Sequence, residues 1–480
     1  MFKIFLSCAI LTTFLFAGEY EEWLKTQNQS YTKYKKSIDD DFSDMLKKDW
    51  ESYKTSFIPT PYKEPKPKEM PMVKKEVEVP IEVIKRSPIV KIKEIKEQAL
   101  SKELVPKVIQ TEIPKVDAKY NSVNIVFYNQ QMLFLLDKKY QFKLQTISND
   151  AISKSWEILS KLDLLALTDE LKKQKEVLNL NDWALYLLLH TIGNELYKDE
   201  NKTNIFTWYM MVKLGYDTKV GYSEDKIYLM SSVKQSLYQI PFFNLNGKKY
   251  YILTPEGRLD SVGSIYTYEA NYPNATAPLS FDMNTKAIKL TTNEKIKDFK
   301  FKTNGKQYLI KSSFSKDLID FYKTFPQSEY QLYFHSKKSS FMATSLLSSL
   351  IPLIEGKSEI EAVNILLHFV QTSFAYKTDE EQFSYEKVFF PEETIFYPYS
   401  DCEDRSIIFS YLVENLLGLD VVGVKFSDHL ATAVQFSNKI DGDSFEFEGK
   451  RYTISDPTYI YANAGMTMPQ YKNKAFEIIK

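Results

Sequence analysis

Apolar residues recur at helical spacing in several parts of the chain. Between Glu359 and Phe374, the residues Ile360, Val363, Leu366, Leu367 and Val370 share one side of a helix. Ser339 to Leu353 has the same period, and Pro352 is expected to break it. After Cys402 the period continues through Ile408, Tyr411, Leu412 and Leu416. Several helices are expected between Ser148 and Tyr197, with Trp183, Tyr186, Leu187, His190 and Ile192 on an apolar side. Strand-like alternation appears at Val123–Tyr128, Ile288–Thr292, Lys297–Phe301 and Tyr308–Lys311; the last three are separated by Asn, Gly and Pro turns, as in antiparallel strands with one wet face. Long helices followed by separate strand runs predict an α+β fold.

Shifts in character divide the 480 residues. Residues 1–17 combine one Lys, an apolar run and Ala17, the pattern of a secretory signal peptide. Residues 18–58 form a charged, Tyr-rich arm with weak helical spacing, read as a surface helix or a partly ordered segment. Residues 59–118 mix recurrent Pro with Lys, Glu, Val and Ile, which favours extended chain; they are expected to act as a semi-rigid spacer, or to dock an envelope protein partner. Lys93 to Leu104 has the composition of a short helix. Three units follow: 119–257, a β-rich region at 258–338, and 339–480. A chain of 56.1 kDa needs more than one core.

Charge then narrows the function classes. The 62 basic and 63 acidic residues nearly cancel, which gives no warrant for a nucleic-acid partner. After signal removal no apolar run is long enough to span a membrane, and Ser345–Ile354 is both short and interrupted by Pro352. The expected location is the periplasm or outside the cell. Of two cysteines, Cys8 falls in the signal, so the exported chain keeps Cys402 alone and has no disulfide.

The candidate chemistry gathers at Tyr399-Ser400-Asp401-Cys402-Glu403-Asp404-Arg405. Ser400 with Glu403, and Asp401 with Asp404, have the spacing of a helix start, which places Cys402 in the first turn. Unpaired amides and the helix dipole favour a thiolate there, whereas the acidic neighbours oppose it unless they cap the helix, pair with Arg405 or face solvent. An imidazole is therefore needed. His429 stands just before the strand-like Leu430–Val434, and Asp456 ends the strand-like Tyr452–Ser455. A thiol, an imidazole and a carboxylate in this order suit an activated nucleophile, its base and the group that orients the base. The aromatic loop from Phe383 to Tyr399 would form one wall of the cleft, with Tyr397 and Tyr399 facing it.

At Asp401–Arg405, His429–Val434 and Gly449–Tyr459 the chain resembles the transglutaminase-like superfamily, papain-like in its core and with chain order Cys, His, Asp. The resemblance runs from about Ile360 to Gln470. It implies a catalytic domain at the C-terminus with Cys402 as nucleophile, His429 as base and then acid, and Asp456 as orienter. Ser400 departs from the pattern, which usually has glycine before the Asp-Cys pair. Such proteins include peptidases, amidases, cross-linking acyltransferases and inactive copies, so the resemblance names no substrate.

An internal similarity accompanies it. Asn204–Tyr216 lies over Ile407–Leu419, and Gly247–Pro255 mirrors Gly449–Pro457. In that register Asp199 falls at Cys402, Ile227 or Tyr228 at His429, and Thr254 at Asp456. Residues 119–257 therefore read as a degenerate copy without the reactive groups.

Other chemistries find little support. The four His residues have no metal-ligand spacing, and the 14 Gly form no phosphate loop. His190 reads as a face residue, His335 as a solvated one and His368 as lacking a partner; Asp441-Gly442-Asp443 reads as a hairpin turn. No cofactor and no metal are expected. The leading expectation is a peptidase or amidase that forms a Cys402 thioester with a peptide, protein or cell-wall amide. The alternatives are an envelope scaffold with an idle fold and a cross-linking acyltransferase.

Overall fold

Two antiparallel sheets, each backed by a buried helix, carry an α+β architecture. The computed structural model describes residues 2–48, 50–61, 69–73, 78–91, 119–260, 262–290, 293–303 and 305–480, with side chains from residue 22 on, residue 28 excepted. Among the described residues no helix is long and apolar enough to cross a membrane.

The chain opens with one helix, α1 (Phe2–Leu46), which runs through the junction expected near residue 17. Trp23, Tyr31 and Tyr34 are exposed along it, whereas Phe42 and Leu46 are buried. The arm is thus anchored at its end. Phe42 packs on Trp156 at 4.7 Å, and Asp39 pairs with Lys213 across a buried interface. The arm then leaves helical form: β1 (Trp50–Lys54) and β2 (Ser56–Phe57) become the two outer strands of the first sheet.

The described parts of residues 59–118 lie against the C-terminal unit. Val73 donates to the Ile460 carbonyl and Ile460 to that of Pro71, both at 3.0 Å. The short helix α2 (Ile81–Arg86) leads to Val90, which donates to Lys357 O at 2.7 Å. A proline-rich strand without sheet partners still has backbone groups to satisfy, and here loops of the same chain satisfy them. The expected helix at Lys93–Leu104 lies outside the described residues.

A hairpin follows, β3 (Tyr120–Phe127) and β4 (Gln130–Asp137), turned by Tyr128 and Asn129 at positive φ. Four helices come next: α3 (Asn149–Leu159), α4 (Leu165–Val177), α5 (Asp182–Tyr197) and α6 (Glu200–Lys213). Trp156, Trp183 and Trp208 are fully buried among them. Their sheet consists of β5 (Thr218–Ser223), β6 (Lys226–Ser232), β7 (Pro241–Leu245), β8 (Lys248–Leu253) and β9 (Ser264–Tyr268), in the order β1-β9-β5-β6-β8-β7-β2.

The region expected to be a β-domain is mixed. Its first strand, β9, belongs to the preceding sheet. β10 (Glu294–Thr303) and β11 (Lys306–Ser315) form an antiparallel hairpin that contains Lys297–Phe301 and Tyr308–Lys311 as expected. Ile288–Leu290 is not a strand: Ile288 and Leu290 are buried, and Lys289 donates to Leu178 O. Two helices, α7 (Lys316–Lys323) and α8 (Tyr330–His335), end the region.

In the last unit α9 (Ser340–Ile354) runs two residues past Pro352, whose missing N–H leaves the Ser348 carbonyl without its helical donor, and then ends. α10 (Glu359–Ser373) begins with a capping box between Ser358 and Glu361. β12 (Ala375–Tyr376) and α11 (Asp379–Phe383) follow, and the stretch read as a long aromatic loop, Phe383 to Tyr399, contains α12 (Pro391–Phe396) and leads into β13 (Tyr399–Ser400), which pairs with β12. α13 (Cys402–Leu417) then precedes β14 (Asp420–Lys425), β15 (Leu430–Gln435), β16 (Ser444–Phe447), β17 (Lys450–Ser455) and β18 (Glu477–Ile479). Their order is β16-β17-β15-β14-β18. The β7–β8 turn uses Asn246 and Gly247, and the β16–β17 turn Glu448 and Gly449, all at positive φ, so each turn has glycine where the backbone needs it. Asp441–Asp443 is a bend ahead of β16, with Gly442 pressed on Gly465.

One charge in the first sheet should be visible in stability. Lys219 is buried and gives its ammonium to Glu269 O, Ala270 O and Asn271 Oδ1, and burial lowers its pKa to about 8. Between about pH 8 and 10.5 the unfolded chain holds this proton and the folded chain does not, so stability rises with pH through that window. Relative to Lys219→Met, the wild type is expected to gain at most ~3 kcal/mol there, read from urea unfolding at each pH.

Candidate functional site

Cys402 is the first residue of α13, as the capping pattern requires, and only 2% of it is exposed. Of the two possible capping pairs, the structure uses the second. Asp404 accepts from the N–H of Asp401 at 3.2 Å and from that of Phe389 at 2.9 Å, which ties the helix start to the preceding segment. Arg405 is wholly buried. It donates to Ser400 Oγ (3.2 Å), Gln371 O (3.3 Å) and Phe374 O (2.6 Å), touches the sulfur of Met70, and lies over the Tyr376 ring at 5.4 Å. Burial lowers its pKa to about 10.

The thiol meets a different environment from the one that an activated nucleophile needs. Its S–H donates to Glu403 Oε2 at 3.0 Å, and its sulfur accepts from the N–H of Leu430 at 3.4 Å. Burial pushes the Cys402 pKa well up, and the carboxylates of Glu403 and Asp401 push it further; the Leu430 N–H opposes them weakly. The opposition expected from the acidic neighbours therefore operates in this arrangement. Only Asp404 of the acidic neighbours is spent on capping. Neither oxygen of Asp401 has a hydrogen-bond partner, Glu403 uses one oxygen on the thiol, and the N–H groups of Arg405 go elsewhere. Burial, followed by mutual repulsion, raises the pKa values of Asp379, Asp401 and Asp404 well above the usual carboxylate range.

His429 and Asp456 stand directly before and after neighbouring strands. His429 precedes β15 and Asp456 follows β17, and these strands pair through Thr432 with Ser455. His429 Nε2 lies 2.9 Å from Asp456 Oδ2, with both side chains almost fully buried. Asp456 Oδ1 accepts from the Thr458 N–H at 2.9 Å. Gln371, on α10, donates to the carbonyls of Asp456 and Ala462, both at 3.0 Å, and so fixes the loop that carries the carboxylate. The Tyr471 ring stacks on His429 with centroids 4.9 Å apart, and its hydroxyl donates to Asp428 at 3.2 Å. Tyr471 also borders a cavity of about 490 Å³, together with Phe426, Asp428 and Lys474.

The structure pairs His429 with Asp456 and brings Cys402 to the residue after His429. It does not draw a sulfur, ring nitrogen and carboxylate oxygen of these three within 4.8 Å of one another. Tyr397 stacks on Phe389 at 4.8 Å and meets Phe383 edge-on. Tyr399 is 38% exposed beside Lys377. Sequence reasoning missed Gln371, Tyr471 and the carboxylate of Asp379, which act from distant parts of the chain and belong to no local motif. Two histidines also gain partners: Thr303 Oγ1 lies 2.8 Å from Nδ1 of His368, which was expected to have none, and Glu200 lies 3.1 Å from His190.

No family model, no curated protein and no solved structure matches the chain.

Arg405→Met would leave two buried carbonyls and a buried hydroxyl without their donor. It is expected to cost at least ~2 kcal/mol in urea unfolding, and Arg405→Lys should recover only part, since an ammonium cannot reproduce the planar fork.

Proposed function

We propose that the chain is a cysteine-dependent acyl-transfer enzyme, a peptidase or amidase of the periplasm or cell exterior, with Cys402 as nucleophile, His429 as base and acid, and Asp456 as orienter. The observation that carries this reading is the buried His429–Asp456 pair, one residue from the backbone N–H that touches the Cys402 sulfur. With the Asp456 carboxylate accepting from Nε2, Nδ1 is the nitrogen that takes the thiol proton. Sulfur bonds to the carbonyl carbon, the C–N bond breaks, and His429 returns the proton to the leaving amine. Water then cleaves the thioester; an amine in its place would make the enzyme a cross-linking transferase. Unpaired amides at the start of α13, that of Cys402 first, would receive the oxyanion.

The same reading assigns residues 339–480 to a papain-like, transglutaminase-like domain and the first unit to a degenerate copy. Its support is topological. A buried helix leads into β5-β6-β7-β8 in one unit and into β14-β15-β16-β17 in the other, and the sheet orders β9-β5-β6-β8-β7 and β18-β14-β15-β17-β16 correspond strand by strand. Matching the helix starts sets Glu200 of α6 at Cys402 of α13, and matching the Leu-Gly ends sets Asp199 there; neither is a thiol. Thr254 follows β8 as Asp456 follows β17.

A second reading, an envelope scaffold with an idle site, is favoured by the thiol itself, which is buried and bonded to Glu403. A peptide vinyl sulfone separates the two. For the enzyme, peptide mapping should find one adduct per chain at Cys402, formed about 10²–10⁴-fold more slowly in His429→Ala. Labelling of the native protein no faster than of the urea-unfolded chain, and indifferent to His429→Ala, would leave the scaffold reading.

A further inference from the structure

Beside the thiol, three acidic side chains from two elements converge. Asp379 begins α11, Asp401 stands just before the first residue of α13, and Glu403 lies in the first turn of α13. One oxygen from each falls within 4.8 Å of the other two, and the three residues are 2%, 0% and 1% exposed. Proximity of carboxylates is not by itself a site. What points to a ligand is Asp401: it is wholly buried, sits among these oxygens, and neither of its own oxygens has a hydrogen-bond partner. Glu403 Oε1 has none either. The nearest cationic side chains are committed elsewhere, Arg405 to carbonyls and a hydroxyl, and Lys387 to Glu393 at 2.7 Å. Arg405 acts on Asp401 only through space and gives it no hydrogen bond, and buried acceptors left without a donor call for a positive partner.

We propose that Asp379, Asp401 and Glu403 form a binding site for one calcium ion. An all-oxygen donor set selects a hard cation over zinc. Oxygens up to 4.8 Å apart fit around an ion with bonds of about 2.3–2.6 Å, whereas magnesium requires a tighter octahedron. Asp379 already accepts from the Lys387 N–H at 2.6 Å, which fixes its carboxylate; Asp401 and Glu403 supply the free oxygens. The site uses neither Cys402 nor His429 as ligand, so it stands independently of the thioester chemistry.

The test is calorimetric titration of the full chain with calcium chloride after EDTA treatment and dialysis, with thermal unfolding alongside. One ion per chain is expected, with a dissociation constant in the range ~10⁻⁷–10⁻³ M and a rise in the unfolding midpoint. Asp401→Asn and Glu403→Gln keep the side-chain shape, remove buried negative charge and should each weaken binding at least ~10-fold. Glu448→Gln, on the surface beside Lys480, should leave it unchanged. Cys402→Ala should bind calcium like the wild type whatever its effect on labelling by the electrophile, so the two readings fail separately. The proposal is overturned by no heat and no midpoint shift up to 10 mM calcium, by binding that survives in the Asp401→Asn, Glu403→Gln double variant, or by displacement with equimolar magnesium.

Discussion

The hydrogen bonds of two buried side chains, Arg405 and Gln371, hold the C-terminal unit in register. Arg405 joins α13 to the end of α10 and to β13, and Gln371 joins α10 to the loop of Asp456. The start of α13 and the carboxylate that faces His429 are therefore placed relative to each other through α10 rather than by touching. Four of these bonds go to buried carbonyls and one to the Ser400 hydroxyl, which makes the joint cooperative: losing one donor exposes the cost of several acceptors.

At the start of α13, opposing electrostatic effects can be ranked by size. A helix dipole stabilises an anion by roughly 0.3–1 kcal/mol at the surface and about 2 in favourable partly buried positions. Removing a charge from water costs several kcal/mol even after relaxation, and nearby carboxylates add to that for a thiolate. Burial wins. This is why Cys402 rests as a thiol bonded to Glu403, although it occupies the helical position that would favour ionisation in a more open site.

Local patterns in the sequence were read well where the cause is local. Capping at Asp401–Asp404, the amphipathic face of α10 and the strands flanking His429 and Asp456 follow from neighbouring residues, and all appear. Long-range pairing was not legible. The charged arm supplies β1 and β2 because its partners, β9 and β7, lie far along the chain, and period-two patterning carries no address. The proline-rich stretch docks through backbone groups, which composition does not reveal. The site was half visible: the order Cys, His, Asp locates its residues, whereas the fate of each acidic neighbour depends on Asp379, Phe389 and Leu430, brought in by the fold.

The outer strands of the first sheet have a consequence for how the protein is made. β1 pairs residue by residue with β9, and Tyr268 is synthesised more than 200 residues after its partner Trp50. At about 5–20 residues per second, β1 waits roughly 10–40 s for the strand that covers it. During that time its backbone donors and acceptors form an open edge, of the kind that recruits other chains. The strand's own composition restrains this hazard: Glu51 and Lys54 are charged and exposed on it, and only five residues are involved. Short length and charge at β1 thus protect a growing chain as well as the outer edge that β1 keeps in the finished sheet.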